Sequence, residues 1–271
     1  MLPVYILIRT SRRPVFFKKC MESIQSQTYK NIITIVHTDD PRDEYVTGDI
    51  IIKGCKLTRS YGNGTYNIYN NRLLKAIPSD VPGWCHCIDD DDMYSSNDVI
   101  ERLVFNAKKD HVNIGRVIRW NGEIFPKSWG TQKSYQTECF FMYSDYAKRA
   151  KWPANTGGDH YYSKQLTKVM PINWIENLII CQAQEGKGHG WKLDAGGVSI
   201  QSSNFKTNEK ICVIGIIPYK KGLTKRDWIM QNELKFIPYD QAVELEKSGH
   251  VLITYHSEQI EKKAPLNIYQ M

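Results

Sequence analysis

The chain has 271 residues, 41% of them hydrophobic and 24% charged, with a net charge of +7. That balance excludes a disordered or low-complexity chain and supplies enough apolar side chains for one large domain, or a domain with a small appendage. The longest apolar run, Ile211 to Pro218, is too short for a membrane helix, so no span is expected.

The seven cysteines (20, 55, 85, 87, 139, 181, 212) are odd in number, scattered and mostly flanked by apolar residues. They read as reduced core residues of a cytoplasmic protein, host-cytoplasmic if the source is viral. In MLPVYILIRTSRR the basic residues follow the apolar stretch, the reverse of a secretory signal, so this segment reads as a first strand. Positive charge is unevenly placed. Residues 1–30 hold six basic groups against Glu22, and residues 205–235 hold seven against three acids, clusters that suit a phosphate-bearing partner.

Residues 4–8, Val-Tyr-Ile-Leu-Ile, form a continuous apolar run typical of a buried parallel strand. Thr10, Ser11 and Pro14 then open a helix whose apolar positions, Phe16, Phe17, Cys20 and Ile24, recur at helical spacing and which should end near Thr28. A second strand follows at 31–36. Strand, helix, strand implies a right-handed crossover and a parallel sheet whose ligands bind at the carboxyl ends, here the loops RTSRRP and HTDDPRD. Further along, a strand is expected at 50–52, a helix at 67–76, a strand at 84–88 and a helix at 97–108 capped by Ser95 or Ser96. Short β runs at 117–120 and 139–143, helices at 145–150 and 159–166, and a strand at 173–181 extend the sheet as a mixed one. Residues 182–209 are rich in Gly, Ser and Asn and suit a loop that closes over a site. The tail reads as a separate unit, with strands at 211–217 and 250–255 around a helix at 239–248.

The chemistry concentrates in Ile88-Asp89-Asp90-Asp91-Asp92, a run of carboxylates leaving a buried strand at the ligand-binding edge. Asp is common in turns, which accounts for one or two of them. Four adjacent carboxylates raise one another's pKa unless a cation neutralises them. A hard divalent ion, Mn²⁺ or Mg²⁺, would do so and would complete its shell with water and phosphate oxygens. Cys85-His86-Cys87 lacks a second ligand pair for zinc and reads as a buried strand.

These features together resemble the GT-A-fold glycosyltransferases of family 2. The resemblance is carried by residues 4–13, by Ser23-Ile24-Gln25-Ser26-Gln27-Thr28-Tyr29 after the first helix, by residues 35–40, and by the acidic run, which matches the family's DxD motif. It implies a GT-A, Rossmann-like α/β fold: a mixed sheet flanked by helices over residues 1–205, with a nucleotide-sugar half (1–95) and an acceptor half (96–205). Residues 206–271 would form a small, basic C-terminal α+β appendage. By the same resemblance, Asp39 or Asp40 would accept from the uracil edge and Thr10 and Arg12 would line the nucleotide. Asp89 would face the ribose or the metal's water, and Asp91 would bind the metal, with Asp90 and Asp92 open as alternatives. Thr156-Gly157-Gly158-Asp159 matches the family's base motif, although Gly158 stands where an acid is common, and makes Asp159 the general base. His189, between glycines in a late loop, is a third metal candidate, and Lys187 and Lys192 could serve the diphosphate. Asn67, Asn70 and Asn71 resemble the polar helix that contacts the nucleotide sugar.

The implied reaction is metal-dependent, inverting transfer of a sugar from a UDP-sugar to an acceptor hydroxyl. Most relatives extend glycans or lipid-linked sugars. Tyr219-Lys220-Lys221-Gly-Leu-Thr-Lys225-Arg226-Asp-Trp228 interleaves aromatics and cations as nucleic-acid-binding segments do, and the chain is similar to bacteriophage glycosyltransferases that decorate hydroxymethylated bases. A DNA acceptor is therefore expected ahead of a glycan. A nucleotidyltransferase would want a glycine-rich triphosphate loop, which RTSRRP lacks, and a non-catalytic sugar-nucleotide module is the remaining reading. Nothing in the sequence fixes an oligomeric state.

Overall fold

The structure, a computed structural model, describes residues 1–11, 13–38, 43–53, 67–127, 135–153 and 157–184, with the backbone of strands at 210–214 and 234–238. β1 (Val4–Thr10) is the axis, and its first five residues are at most 1% exposed. β2 (Ile32–Thr38) lies parallel to it on one side and β4 (Trp84–Asp89) on the other, while β3 (Ile50–Lys53) continues the parallel half beyond β2. Consecutive side chains point to opposite faces of the sheet, so burial of all five means that both faces are covered, which is what the continuous apolar run of β1 reflects.

The second half of the sheet is mixed. β8 (Phe140–Tyr143) pairs antiparallel with β4 and with β6 (Val112–Ile118), β6 runs parallel to β9 (Ile172–Ala183), and β9 pairs antiparallel with β5 (Asp92–Tyr94). The order among the described residues is β3-β2-β1-β4-β8-β6-β9-β5, with β7 (Ile124–Phe125) as a hairpin on β6. Five helices accompany it: α1 (Pro14–Gln25), α2 (Ile68–Ala76), α3 (Val99–Asn106), α4 (Ser144–Ala147) and α5 (Gly158–Thr167). This is the mixed, helix-flanked GT-A sheet that the resemblance implies. No helix of the described residues is long and apolar enough to cross a membrane.

The segment after α1 explains its own sequence. The helix stops at Gln25, and Gln27, 1% exposed, takes over as a cross-link. Its Nε2 donates to the Ser96 carbonyl at 2.8 Å and its Oε1 accepts from the Ile100 N–H at 3.1 Å. An N–H in the first turn of α3 is thereby satisfied from the segment that follows α1, in place of the expected serine cap. Ser95 Oγ donates instead to the Ile179 carbonyl, and Ser96 Oγ donates to Asp98, the residue that actually precedes the helix. Tyr29 completes the segment by donating its hydroxyl to the Leu2 carbonyl at 2.5 Å.

Three further departures stand out. β6 starts at Val112, five residues before the expected run, because Asn113 and Gly115 pass within a strand that is buried through most of its length. Part of the acidic run is itself a strand, β5, and a strand at 234–238 (β11) pairs antiparallel with 210–214 (β10). The helix at 239–248 and the strand at 250–255 lie outside the described residues, as does the loop from 185 to 209.

Candidate active site

β2 lies to one side of β1 and β4 to the other, so the chain changes direction across the sheet at β1. Open sheets of this kind bind ligands in a crevice at such a point, here the carboxyl ends of β1 and β4. The loop leaving β1 and the acidic turn leaving β4 face each other there.

The cation that answers the buried part of the acidic run is Arg13. Its Nε donates to Asp90 Oδ2 at 3.1 Å, its Nη2 pairs with Asp90 Oδ1, and its Nη1 lies 2.9 Å from Asp91 Oδ2. Thr10 Oγ1 donates to Asp90 Oδ2 at 2.7 Å and therefore accepts from the Tyr45 hydroxyl, 2.8 Å away. Asp90 is wholly buried. Burial pushes its carboxyl up to about 8, and Asp91 and Asp89 push the same way, while Arg13 and Thr10 draw it back. The backbone of the turn is held by Gln184, whose Nε2 donates to the carbonyls of Phe16 (2.9 Å), Asp90 (3.1 Å) and Asp92 (3.3 Å), and whose N–H donates to the carbonyl of Asp91 at 3.1 Å.

Asp89 behaves differently. Its side chain is 30% exposed, and its Oδ1 lies 2.5 Å from Nη2 of Arg9. The same guanidinium draws the Asp159 carboxyl downward, so one cation serves the end of β4 and the start of α5. Asp159 is raised overall, chiefly by burial and also by Asp89, against Arg9, its own backbone N–H and a hydrogen bond from Thr137. Thr137, 4% exposed, sits in a short 3-10 turn (Thr137–Cys139) ahead of β8.

Glycine at 158 has a steric cause. A Cβ there would lie 2.4 Å from Nδ2 and 2.7 Å from Cγ of Asn67, so any larger residue at the position would have to displace the Asn67 side chain. Gly157 precedes it with φ +77°, a left-handed conformation that favours glycine. Asn67 is thus part of the seam between the two helices. Asn71 clamps the Trp152 backbone, donating from Nδ2 to its carbonyl and accepting at Oδ1 from its N–H, both at 2.9 Å. The structure therefore brings Thr10, Asp89, Asp90, Asp91 and Asp159 to one crevice, with Asn67 at its border and Asn71 committed to the backbone behind. Arg12, Asp39, Asp40 and His189 lie outside the described residues, as do Lys187 and Lys192.

Two buried groups nearby lack partners. Asn70, 1% exposed, has neither amide atom hydrogen-bonded, and His37, fully buried and stacked on Tyr69 at 4.5 Å, has neither ring nitrogen bonded. Burial, with Arg72 and Arg9, lowers His37 to about 3, so it is neutral. His86, by contrast, is a satisfied core histidine. Its Nε2 donates to the Glu138 carbonyl at 2.9 Å, which leaves Nδ1 to accept from the Tyr94 hydroxyl at 2.8 Å, and burial lowers it to about 4.

Arg9, Arg13, Thr137 and Gln184 are site residues that the sequence reading did not assign. A charged residue ending an otherwise apolar strand was the available signal for Arg9. Gln184 and Thr137 carry none, since their roles depend on contacts made dozens of residues away.

The donor set can be tested against a divalent cation by charge. Arg9 pairs with Asp89 and acts on Asp159, Arg13 pairs with Asp90 and Asp91, and a diphosphate would add further negative charge to this group of carboxylates. A cation fits that balance. Among the described residues no three His, Cys, Asp or Glu side chains are grouped so as to hold a metal ion, so a cation here would rest on at most two carboxylates with water and phosphate oxygens.

No family model matches the chain, and no curated protein matches it. Solved structures do. TarS residues 1–349 of S. aureus, in complex with UDP-GlcNAc, aligns with 69% of this chain and 60% of its own length at a TM-score of 0.54 and 13% identity. The same protein in complex with UDP aligns over 67% of this chain and 60% of its own, at a TM-score of 0.51 and 13% identity. At this identity the likeness establishes the fold. The chain spans about 60% of the length of those structures.

Proposed function

We propose that the chain is a metal-dependent, inverting glycosyltransferase that moves a sugar from a UDP-sugar to an acceptor hydroxyl. The observation that carries the proposal is Arg9, whose guanidinium holds Asp89 at the end of β4 and also acts on Asp159 at the start of α5. A carboxylate suited to the donor and one suited to the acceptor thereby share a crevice, as a single-displacement reaction requires. Binding of UDP-GlcNAc and UDP by TarS supports the donor class. The unpartnered polar atoms of Asn70 and His37 support it too, because buried polar groups left unpaired mark places completed by something else.

In this reading Asp89 and Asp91 would hold Mn²⁺ or Mg²⁺, which when bound stabilises the departing diphosphate. Arg13 and Thr10 keep Asp90 in the fold, and Arg13 also holds one oxygen of Asp91, which fixes the turn. Asp159 takes the proton from the acceptor hydroxyl as that oxygen bonds to the anomeric carbon and the bond to UDP breaks, with inversion. Its upward shift suits it to that task, and Thr137 fixes one edge of its carboxylate. Arg12, Asp39, Asp40 and His189 keep the roles that the resemblance implies, while Asn67 and Asn71 act by holding α2 in place.

For the acceptor we propose a hydroxymethylated base in DNA, on the strength of the +7 charge and the aromatic-cation interleaving of residues 219–228. The test is UDP release from a panel of UDP-sugars with Mn²⁺ or Mg²⁺, in the presence of hydroxymethylated duplex DNA or of oligosaccharides. Release with oligosaccharides alone removes the DNA acceptor. No release with any acceptor, together with tight metal-dependent UDP binding, reduces the chain to a binding module.

A further inference from the structure

We infer that the outward face of α5 is a phosphate-binding track that leads the acceptor to Asp159, an inference that rests on the proposed DNA acceptor. Residues 146–170 carry five cations, Lys148, Arg149, Lys151, Lys164 and Lys168, against a single acid, Asp159. Two of the five are committed elsewhere. Lys148 Nζ donates to the Ile77 carbonyl at 2.9 Å, and the Arg149 guanidinium lies 4.2 Å over the Tyr146 ring. Lys151, Lys164 and Lys168 are exposed, and among the described residues none of their ammonium groups has an ion-pair or hydrogen-bond partner.

Helix geometry gathers these three. α5 buries Gly158, Tyr162 and Leu166 along one side, which leaves Tyr161, Lys164 and Lys168, at i, i+3 and i+7, as one stripe on the other. Lys151 joins it from the preceding segment, because the Gln165 amide accepts from its N–H at 3.2 Å and donates to its carbonyl at 2.9 Å. Asp159 opens the same helix, so the two helical lysines stand about 7.5 and 13.5 Å along the axis from the proposed base. Tyr161, 49% exposed, lies between them and Asp159 in that direction. The helix dipole favours a cation near the C-terminus. It does not account for Lys151, nor for two like charges one turn apart with no acid paired to either, an arrangement that costs stability in the free protein. A phosphodiester backbone removes that repulsion, whereas a neutral glycan would leave it in place.

A control is available on the opposite face of the sheet. Arg9 and its register partner His37 lie on the side of α2, where His37 stacks on Tyr69, whereas Thr10 points to the side where Tyr45 meets Phe17 of α1. Gly158 of α5 sits against Asn67 of α2, so the exposed Lys18 and Lys19 of α1 are across the sheet from the track.

The test uses the full chain and a fluorescently labelled duplex containing hydroxymethylcytosine, with binding read by anisotropy over a salt series for wild type, the Lys164→Gln/Lys168→Gln double variant and the Lys18→Gln/Lys19→Gln double variant. Losing two phosphate contacts should lower the slope of log affinity against log salt by about 1.8 and weaken binding roughly 60-fold at about 0.1 M salt. The α1 variant should keep the wild-type slope. The inference is overturned if the α5 variant also keeps it, if the α1 variant loses as much, or if wild type binds a neutral oligosaccharide as tightly as the duplex. Release of UDP with the duplex, alongside an unchanged slope in the α5 variant, would overturn the track and leave the DNA acceptor standing. Failure of wild type to bind UDP with Mn²⁺ by calorimetry, with α5-dependent duplex binding intact, would instead sink the glycosyltransferase reading and leave the track.

Discussion

At the donor edge of the crevice Asp90 meets Arg13, Thr10 and, through its backbone, Gln184, while Asp91 shares the same guanidinium. At the acceptor edge Asp159 has the Thr137 hydroxyl, its own N–H and the more distant charge of Arg9. One edge is locked by redundant charge-assisted bonds, and the other holds its carboxylate lightly. Rigidity on the donor side fixes where a diphosphate can sit, whereas a lightly held carboxylate is free to exchange a proton. Substitutions on the two sides should therefore fail in different ways: stability should report the donor edge, and turnover the acceptor edge.

The largest effect is expected from Asp159→Asn, which should lower turnover by about 10²- to 10⁴-fold, the usual worth of a general base, while UDP binding measured by calorimetry persists. Equal turnover in the variant would remove Asp159 from the reaction. Next comes Arg13→Met. It leaves Asp90 and Asp91 buried without their guanidinium and should cost about 3–5 kcal/mol in chemical denaturation at pH 7. If the loss is small, the two carboxylates are not held as described.

His86 sharpens the comparison because it bridges the two edges, with Tyr94 of β5 on one nitrogen and the Glu138 carbonyl on the other. Its folded value, about 4, lies below the ordinary 6.5, so between those limits the unfolded chain binds the extra proton. Stability from this group is present above pH 6.5 and is lost as pH falls through 4, by about 3 kcal/mol in all. Asp90, raised to about 8, works with the opposite sign, so His86→Asn is needed to isolate the histidine's share. The difference between the two proteins' unfolding free energies should shrink from pH 7 to pH 4. A constant difference would mean that His86 is not buried neutral. The smallest effect is expected from Thr137→Val, which should lower turnover roughly ten-fold, an amount matching one lost hydrogen bond to a charged group. It should also move the acidic limb of the pH–rate profile upward, with Thr137→Ser restoring both.

The same contrast governs what could be read from the sequence. The β1–α1–β2 unit was legible because apolar runs, helical spacing and Pro14 are local signals, and the acidic run was legible because four like charges demand an answer. A metal was inferred as the neutralising charge, and the structure adds two cations that the sequence reading did not assign, Arg9 and Arg13, which meet three of the carboxylates. That pairing depends on bringing residue 13 against residue 90 across the sheet, which no local pattern reveals. Gly158 shows the converse. It looked like a departure from the base motif, and only the approach of Asn67 explains it.

Gln184 has a temporal consequence. Its amide holds carbonyls made 94 and 92 residues earlier, at Asp90 and Asp92. During synthesis at about 5–20 residues per second, the acidic turn must wait roughly 5–20 seconds after it is translated before the residue that fixes it exists. Until then a cluster of carboxylates has Arg13 and Thr10 but no backbone anchor. A nascent chain released before β9 is complete should therefore lack a settled donor site, however well its first half has folded.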